Sequence, residues 1–356
     1  MRSGTICLAF ACLAAPWSSA LGAQELQPVT IHGFGHWSYG RTRGNDYLGA
    51  TPEGEFRNSY FALNLGTNIQ PSVGIHAQLF WNRTAEGNEA EIDYAFAAWQ
   101  WDPDFGLRAG RIPHPFGIYN EVYDVGTIRP FLSLPQSVYG AVGLVSEGLD
   151  GVSARGRIDL GGSWALSYDA YVGGLDVFVA GADDEEGGEP ETGKEVIGGR
   201  LVAATPLPGL VFGASGYTGI HSEPTAEASS ERDAVLGAHL SYVGERVWVR
   251  SEAFRSWATE GISAWESYVE AAVFLTRRLQ ASGTLGRVRS TANGDSTESP
   301  DEHTEDAFGL AFWVSPEMVL KGSLGRVRGN LLVASGSGEP EGGSTRVLNL
   351  GVQFSF

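Results

Sequence analysis

The chain has 356 residues and a formal net charge of -18 at pH 7, with 42% hydrophobic residues, 19% charged residues and 49 glycines. This charge argues against a nucleic-acid partner, because phosphate binding is driven by a surplus of Lys and Arg. Few charged residues, many aromatic residues and only 2 methionines also disfavour a disordered chain or a helical bundle. The composition favours a large β architecture.

The first segment of the chain has the pattern of an export signal. Arg2 precedes an apolar run from Ile6 to Ala15, and small residues follow over 18–23. We expect residues 1–23 to form a signal peptide, cleaved between residues 20 and 23, and residues 24–356 to form a single domain. A buried N-terminal helix is the alternative. Both cysteines, Cys7 and Cys12, lie in this segment, so the mature chain would contain no disulfide.

From Val29 onward, apolar and polar residues alternate with period two, which predicts β-strands. The pattern predicts sixteen strands, at 29–40, 58–69, 73–83, 90–101, 106–112, 148–158, 162–174, 194–204, 209–220, 233–243, 246–256, 264–276, 279–290, 305–314, 318–328 and 345–356. Their connectors are tight at one end, as at 102–105, and mostly much longer at the other, as at 113–147. Short turns on one rim and long loops on the other are typical of an outer-membrane barrel.

One face of these strands is apolar and the other is polar. In the strand over 73–83, Ile75 and Leu79 alternate with His76 and Gln78. A membrane barrel faces lipid with its apolar side chains and lines water with its polar ones. We therefore predict an all-β protein, a transmembrane antiparallel up-and-down β-barrel of sixteen strands around an aqueous lumen.

The third long connector, about 113–147, is less acidic and more apolar than the others. Around it the sequence contains Gly110-Arg111, Pro115-Phe116-Gly117-Ile118-Tyr119-Asn120-Glu121, Arg129-Pro130, Leu134-Pro135 and Val138-Tyr139. A connector of roughly 35 residues with so many buriable side chains is expected to pack against something. The lumen is the available place, so we predict that this connector folds inward as a constriction.

This pattern resembles the third strand pair and constriction loop of Gram-negative porins. The likeness is greatest to the sixteen-stranded group that includes the phosphate-selective porin O/P relatives, and it covers most of the mature chain loosely. Phe354 and the terminal Phe356 resemble the signal read by the barrel assembly machinery. The resemblance implies a homotrimeric, water-filled channel in the outer membrane of a Gram-negative bacterium, in contact with lipid and lipopolysaccharide. No lysine run or dense arginine ladder is present, so phosphate selectivity is not implied.

The candidate pore residues follow from strand parity and from the third connector. On the polar parity lie Asp93, Arg108, Arg155, Arg157, Asp169, Arg200, Arg250, Glu252, Glu270 and Lys321. The Gly110-Arg111 motif adds Arg111, and the connector adds Glu121, Asp124 and Arg129. We expect the two connector acids to face wall arginines, namely Arg108, Arg155, Arg157 and Arg250. The acidic and basic candidates nearly balance in number. The sequence therefore does not determine whether a channel for small solutes and ions would prefer anions or cations.

Other chemistry is weaker in the sequence. The acidic run Asp183 to Glu186 predicts either a solvated loop surface or weakly bound divalent cations that bridge to lipopolysaccharide. The histidines are scattered singly except His32 and His36, so we expect no metal site and no cofactor. No spacing marks a nucleophile, so we expect no enzymatic activity. Two alternatives stay open: an outer-membrane barrel hydrolase, and a structural or adhesive barrel with a closed lumen.

Overall fold

The computed structural model of the protein describes residues 28–85, 87–140, 146–177, 191–222, 232–257, 262–292, 302–329 and 343–356. The expected signal peptide and the acidic run Asp183 to Glu186 lie outside these residues. The strands are β1 (Thr30–Arg43), β2 (Glu55–Gln70), β3 (Val73–Arg83), β4 (Asn88–Asp102), β5 (Phe105–Pro113), β6 (Gly148–Gly161), β7 (Trp164–Val177), β8 (Glu191–Ala204), β9 (Leu210–Ser222), β10 (Arg232–Val243), β11 (Val247–Trp257), β12 (Ile262–Phe274), β13 (Leu279–Ala292), β14 (Glu302–Ser315), β15 (Met318–Gly329) and β16 (Ser344–Ser355).

These strands form one closed antiparallel barrel. Each strand pairs with its neighbours in the chain, and β1 pairs with β16 to close the sheet. The seam runs from the pair Phe34 and Ser355 to the pair Arg43 and Arg346. The prediction of a sixteen-stranded up-and-down barrel is confirmed. Several strands extend beyond their predicted bounds, as β2 does by beginning at Glu55. Among the described residues, no helix is long and apolar enough to cross a membrane.

The outer face of the barrel is apolar because successive side chains of a strand point to opposite faces. On β3, Ile75 is 44% exposed and Leu79 is 45% exposed, whereas Gln78 is only 4% exposed. Exposed apolar side chains occur on the other strands too. Together they form an apolar outer surface, which is unfavourable in water. The outer face therefore suits a lipid environment.

One irregularity of the sheet affects the placement of a carboxylate. Gln78 on β3 pairs with Tyr94 on β4, but the next residue, Leu79, pairs with Ile92. Asp93 is therefore an extra residue in β4, which is the geometry of a β-bulge. The bulge brings the Asp93 side chain to the same face as Gln78, and the two side chains form a hydrogen bond of 2.6 Å.

The connector between β5 and β6 (residues 114–147, described over 114–140 and 146–147; the β5–β6 connector below) contains three short helices, Asn120–Val122, Gly126–Ile128 and α1 (Gln136–Tyr139). Its apolar side chains pack on the strands. The largest buried apolar cluster combines Phe116, Tyr119, Leu134, Val138 and Tyr139 of the connector with Val235, Phe254 and Tyr268 of β10, β11 and β12. This cluster therefore lies between the connector and strands β10 to β12.

Candidate functional site

The β5–β6 connector is held on one side by Glu252 of β11. The Glu252 carboxylate accepts hydrogen bonds from the backbone N–H of Ile118 at 2.9 Å, from the Tyr268 hydroxyl at 2.8 Å and from the Tyr139 hydroxyl. These donors satisfy a carboxylate that would otherwise be costly to bury. Glu252 was predicted to line the pore, and the structure instead buries it against the connector.

Arg250 and Glu270, on β11 and β12, hold the same side of the connector. Arg250 donates to the carbonyl oxygen of Ile128 at 2.9 Å, and its guanidinium carbon lies 5.0 Å from the centre of the Tyr119 ring. The Tyr119 hydroxyl donates to the Glu270 carboxylate. Arg250 was predicted to face the acids Glu121 and Asp124; the structure instead directs it to a backbone carbonyl and an aromatic ring.

Lys321 of β15 binds the connector through main-chain oxygens. Its ammonium donates to the carbonyls of Gly126 at 2.8 Å, Arg129 at 2.6 Å and Phe131 at 3.2 Å, and to Gln353 Oε1 at 2.6 Å. Lys321 is buried, so these oxygens replace the water that would otherwise solvate the charge. The sequence predicted a pore-lining cation at this position, and the structure shows an anchor for the connector.

Arg129 lies within the connector and stabilises its fold. Its guanidinium donates to the carbonyl oxygens of Tyr123 at 2.7 Å and Leu132 at 2.9 Å, and to the Tyr60 hydroxyl of β2 at 3.3 Å. Arg129 is buried, which differs from the predicted pore-lining position.

Glu121 of the connector lies against three arginines of the wall. Its carboxylate is 3.0 Å from Arg108 Nη1 on β5 and 3.9 Å from Arg155 Nη1 on β6, and it forms an ion pair with Arg200 on β8. Burial opposes ionisation of Glu121, but the charges of Arg200 and Arg108 outweigh it and hold its pKa below the usual value. Glu121 therefore faces Arg108 and Arg155 as expected. Arg200, which was placed only by strand parity, is a third partner.

A cavity of about 850 Å³ lies beside this cluster, between the connector and strands β3 to β10. Its lining includes Asp169, His76 and His239 and four arginines, Arg108, Arg155, Arg157 and Arg200. Asp169 is 3.0 Å from Arg200, and Arg157 is 3.6 Å from the exposed Asp159. Four guanidinium groups thus lie near three carboxylates, those of Glu121, Asp169 and Asp159, so this wall has a surplus of positive charge.

Arg111 does not join this group. It lies three residues beyond Arg108 on β5, which places its side chain on the opposite face of the strand. Arg111 forms an ion pair of 3.0 Å with Asp150 of β6, its direct partner across the sheet. The prediction from the Gly110-Arg111 motif therefore does not place Arg111 beside Glu121.

Asp124 was also expected to face wall arginines, and the structure places it among acids instead. One carboxylate oxygen from each of Asp93, Asp124 and Glu147 lies within 4.8 Å of the other two. Burial and the neighbouring charge of Asp93 raise the pKa of Asp124 to about 7. Burial and the charge of Asp124 likewise raise the pKa of Glu147 well above its usual range. Sequence reasoning named Asp93 and Asp124 separately but did not bring them together with Glu147, because the three residues are far apart in the chain and the path of the connector has no sequence signal.

Comparisons with known proteins relate this fold to outer-membrane proteins. No protein-family model matches the chain, and no curated protein matches it. Among solved structures, the trimer form of OmpT, an outer membrane protein of Vibrio cholerae, is similar over 92% of this chain and 99% of that chain, with a TM-score of 0.62 and 10% identity. The outer membrane channel DcaP of Acinetobacter baumannii is similar over 92% of this chain and 97% of that chain, with a TM-score of 0.62 and 10% identity.

An anion-selective porin from Comamonas acidovorans is also similar, over 93% of this chain and all 100% of that chain, with a TM-score of 0.59 and 12% identity. The chain therefore shares its barrel fold with Gram-negative outer-membrane porins. The closed barrel and its apolar outer face together are typical of a barrel that spans a membrane.

Proposed function

We propose that the protein is a porin: a water-filled channel of the outer membrane through which ions and small hydrophilic solutes diffuse passively, without catalysis. The observation that carries this proposal is the cavity of about 850 Å³ inside a closed barrel, lined by arginines and bordered by the connector. Pore width and lining charge are the two properties by which such a channel selects its solutes.

We infer that the β5–β6 connector crosses the lumen and forms the constriction. It bonds to Tyr60 on β2, Ser215 on β9, Glu252 on β11 and Lys321 on β15. A segment that reaches strands so far apart in a closed barrel has to run through the interior. These contacts leave the arginine-lined side as the open path beside the connector.

The charges along that path favour anions. Arg155 and Arg157 keep 38% and 59% of their side-chain surface exposed, and Arg155 approaches Glu121 no closer than 3.9 Å. Positive charge in a narrow passage raises the local concentration of anions. We propose a preference for small anionic solutes on this basis.

The assembly we propose is a homotrimer in contact with lipid and lipopolysaccharide. It is supported by the barrel fold shared with the trimer form of OmpT from Vibrio cholerae. We also propose that the barrel assembly machinery recognises the C-terminal strand through Phe354 and Phe356. Unheated detergent samples should migrate as a compact high-mass species, and heating should release an extended monomer.

Single-channel recording in planar bilayers tests the proposed function. Purified, unheated protein should give stepwise conductance, heat-denatured protein should give none, and a salt gradient should give a reversal potential of the sign expected for anions.

Shortening the connector between Pro115 and Pro135 should raise the conductance and the solute size limit. Folded barrels without conductance would favour a closed structural or adhesive barrel, and labelling by a covalent serine probe would favour a hydrolase.

A further inference from the structure

A second cavity, of about 180 Å³, lies between the connector and strands β1 to β5 and holds an unusual set of oxygen atoms. Its lining includes the carboxylates of Asp93, Asp124 and Glu147 and the side chain of Asn120. The three residues with carboxylates come from different parts of the fold: Asp93 from the bulge in β4, Asp124 from the middle of the connector, and Glu147 from the residue before β6.

The three carboxylates lack basic partners. Within the described part of the chain, none of them forms an ion pair with Lys or Arg. Two neighbouring basic side chains contact other oxygens: Arg129 donates to the carbonyls of Tyr123 and Leu132, and Arg111 donates to the backbone carbonyl of Asp93 at 2.7 Å and pairs with Asp150. Gln78 Nε2 donates to Asp93 Oδ2 at 2.6 Å and to Asp124 Oδ2 at 3.2 Å, which leaves the other oxygens of these carboxylates available.

Asn120 provides an independent observation that points to a ligand in this cavity. Its Nδ2 donates to the carbonyl oxygens of His114 at 3.0 Å and Ser146 at 2.7 Å. Among the described residues, no hydrogen-bond donor reaches its buried Oδ1, and Asn120 is only 2% exposed. Because the amide nitrogen is tied to the connector backbone, the oxygen is the end left for the cavity. A buried acceptor without a donor is costly unless a cation or water satisfies it.

We propose that this cavity binds a divalent cation, with Ca²⁺ as the best fit, through Asp93, Asp124, Glu147 and Asn120 Oδ1. Ca²⁺ takes six to eight oxygen ligands at about 2.3–2.6 Å, so ligands on opposite sides of the ion are about 5 Å apart. Carboxylate oxygens within 4.8 Å of one another fit into one such shell. The cavity has room for waters that complete it.

The ion would join β4 to both arms of the β5–β6 connector. Asp124 belongs to the arm that leaves β5, and Glu147 belongs to the arm that enters β6. A cation held by all three carboxylates would cancel their repulsion and fix the connector to β4. This site differs from any cation binding at the acidic run Asp183 to Glu186, which lies elsewhere in the chain.

Terbium luminescence tests the site directly, because Tb³⁺ replaces Ca²⁺ and is excited through nearby tyrosines. Tyr94 and Tyr123 line the same cavity. Folded, detergent-purified mature protein should give Tb³⁺ emission on tyrosine excitation, and Ca²⁺ should abolish it more effectively than Mg²⁺. The substitutions Asp124→Asn and Glu147→Gln should each weaken the apparent affinity by on the order of tenfold, because each removes one ligand charge.

Two controls make the result specific. Glu317→Gln removes one exposed acid in the turn before β15, and a combined Asp183→Asn and Glu186→Gln variant removes acids of the long connectors. Both should keep the wild-type affinity, and heat-modifiable gel migration shows that each variant is folded. Absence of Ca²⁺-sensitive emission in the wild type would overturn the proposal. It would also be overturned if the control variants lost as much apparent Tb³⁺ affinity as Asp124→Asn and Glu147→Gln. The measurement is made in detergent, so it succeeds or fails independently of whether the barrel conducts.

Discussion

Glu121 Oε1 lies 3.0 Å from Arg108 Nη1, and this ion pair joins the β5–β6 connector to the barrel wall. The other carboxylate oxygen pairs with Arg200, which in turn binds Asp169 of β7 at 3.0 Å. A carboxylate between guanidinium groups of two strands fixes the position of the connector beside the arginine-lined cavity. The same contact therefore affects both the width of the proposed channel and its charge.

Replacing Glu121 by Gln tests this dual role. Glu121→Gln keeps the size of the side chain but leaves the charges of Arg108 and Arg200 less neutralised. The reversal potential in a salt gradient should shift further toward anions. Losing charged hydrogen bonds should also weaken the attachment of the connector, by about 1.5–3 kcal/mol per bond. Glu195→Gln, which removes the exposed partner of Arg232, is the matched control and should leave selectivity unchanged.

Arg155 and Arg157 should dominate selectivity over the acidic connectors. They line the cavity next to the connector. The acids of the long connectors are expected from the sequence to lie on the outer rim, where their field is screened over about 8 Å at physiological salt. Neutralising both arginines should shift the reversal potential toward cations. The shift should exceed the opposite one caused by neutralising the acids Asp183 to Glu186. The reverse ranking, measured in a salt gradient at about 0.1 M or above, would show that the rim governs entry.

The strands could be predicted from the sequence because period-two alternation directly reports a two-sided sheet. On β3, Ile75 and Leu79 face outward and Gln78 faces inward, as their spacing indicates. The pair of Glu121 with Arg108 was also predictable, since it needs only a connector acid and a wall arginine on the polar parity.

The partners of Lys321 and Asp124 were not predictable in this way. Lys321 binds three backbone carbonyls, and a carbonyl has no signature in the sequence. Asp93 was assigned to the polar parity, but its neighbours Asp124 and Glu147 are brought to it by the path of the β5–β6 connector, which strand alternation does not specify. Strand alternation specifies which face a side chain takes, but the path of the connector decides which groups on that face are buried.

Lys321→Met should loosen the connector without unfolding the barrel. The substitution keeps an unbranched side chain and leaves the carbonyls of Gly126, Arg129 and Phe131 without their buried donor. Each buried group left unsatisfied costs about 1–3 kcal/mol. Hydrogen exchange of the amides over 126–132 should become faster, and channel recordings should become noisier. Arg57→Met, on an exposed pair with Glu55, should change neither measurement; unchanged exchange in Lys321→Met would contradict the anchoring role.

Gly117→Ala should displace the connector from β11. Gly117 has a φ of +58°, which disfavours side chains other than hydrogen. A Cβ there would also lie 2.7 Å from Glu252 Oε1. We expect altered conductance in a barrel that still shows heat-modifiable migration. Gly87→Ala is the matched control, because a Cβ at Gly87 meets no atom within 4 Å. Equal conductance in both variants would place the connector away from the conducting path.

Phe356 lies at the closing seam of the barrel, where it makes two kinds of contact, backbone hydrogen bonds and ring stacking. Its backbone N–H donates to the carbonyl of Gly33 at 2.9 Å, and its own carbonyl accepts from the Gly33 N–H at 3.0 Å. Its ring stacks at 6.1 Å on Phe61 of β2 and is exposed on the outer face. Deleting Phe356 removes both the backbone bonds and the ring, whereas Phe356→Ala removes the ring alone.

Comparing these two variants separates recognition of the ring from closure of the seam. If the assembly machinery recognises the terminal aromatic residue, both variants should reduce the fraction of heat-modifiable barrel in cells to a similar extent. In refolding from denaturant into detergent, where no machinery is present, Phe356→Ala should fold nearly as well as the wild type, because the seam bonds remain. The deletion should fold less completely there. Wild-type assembly of Phe356→Ala in cells would contradict a role for the aromatic ring, and equal refolding of the deletion would show that the seam does not need its last pair of hydrogen bonds.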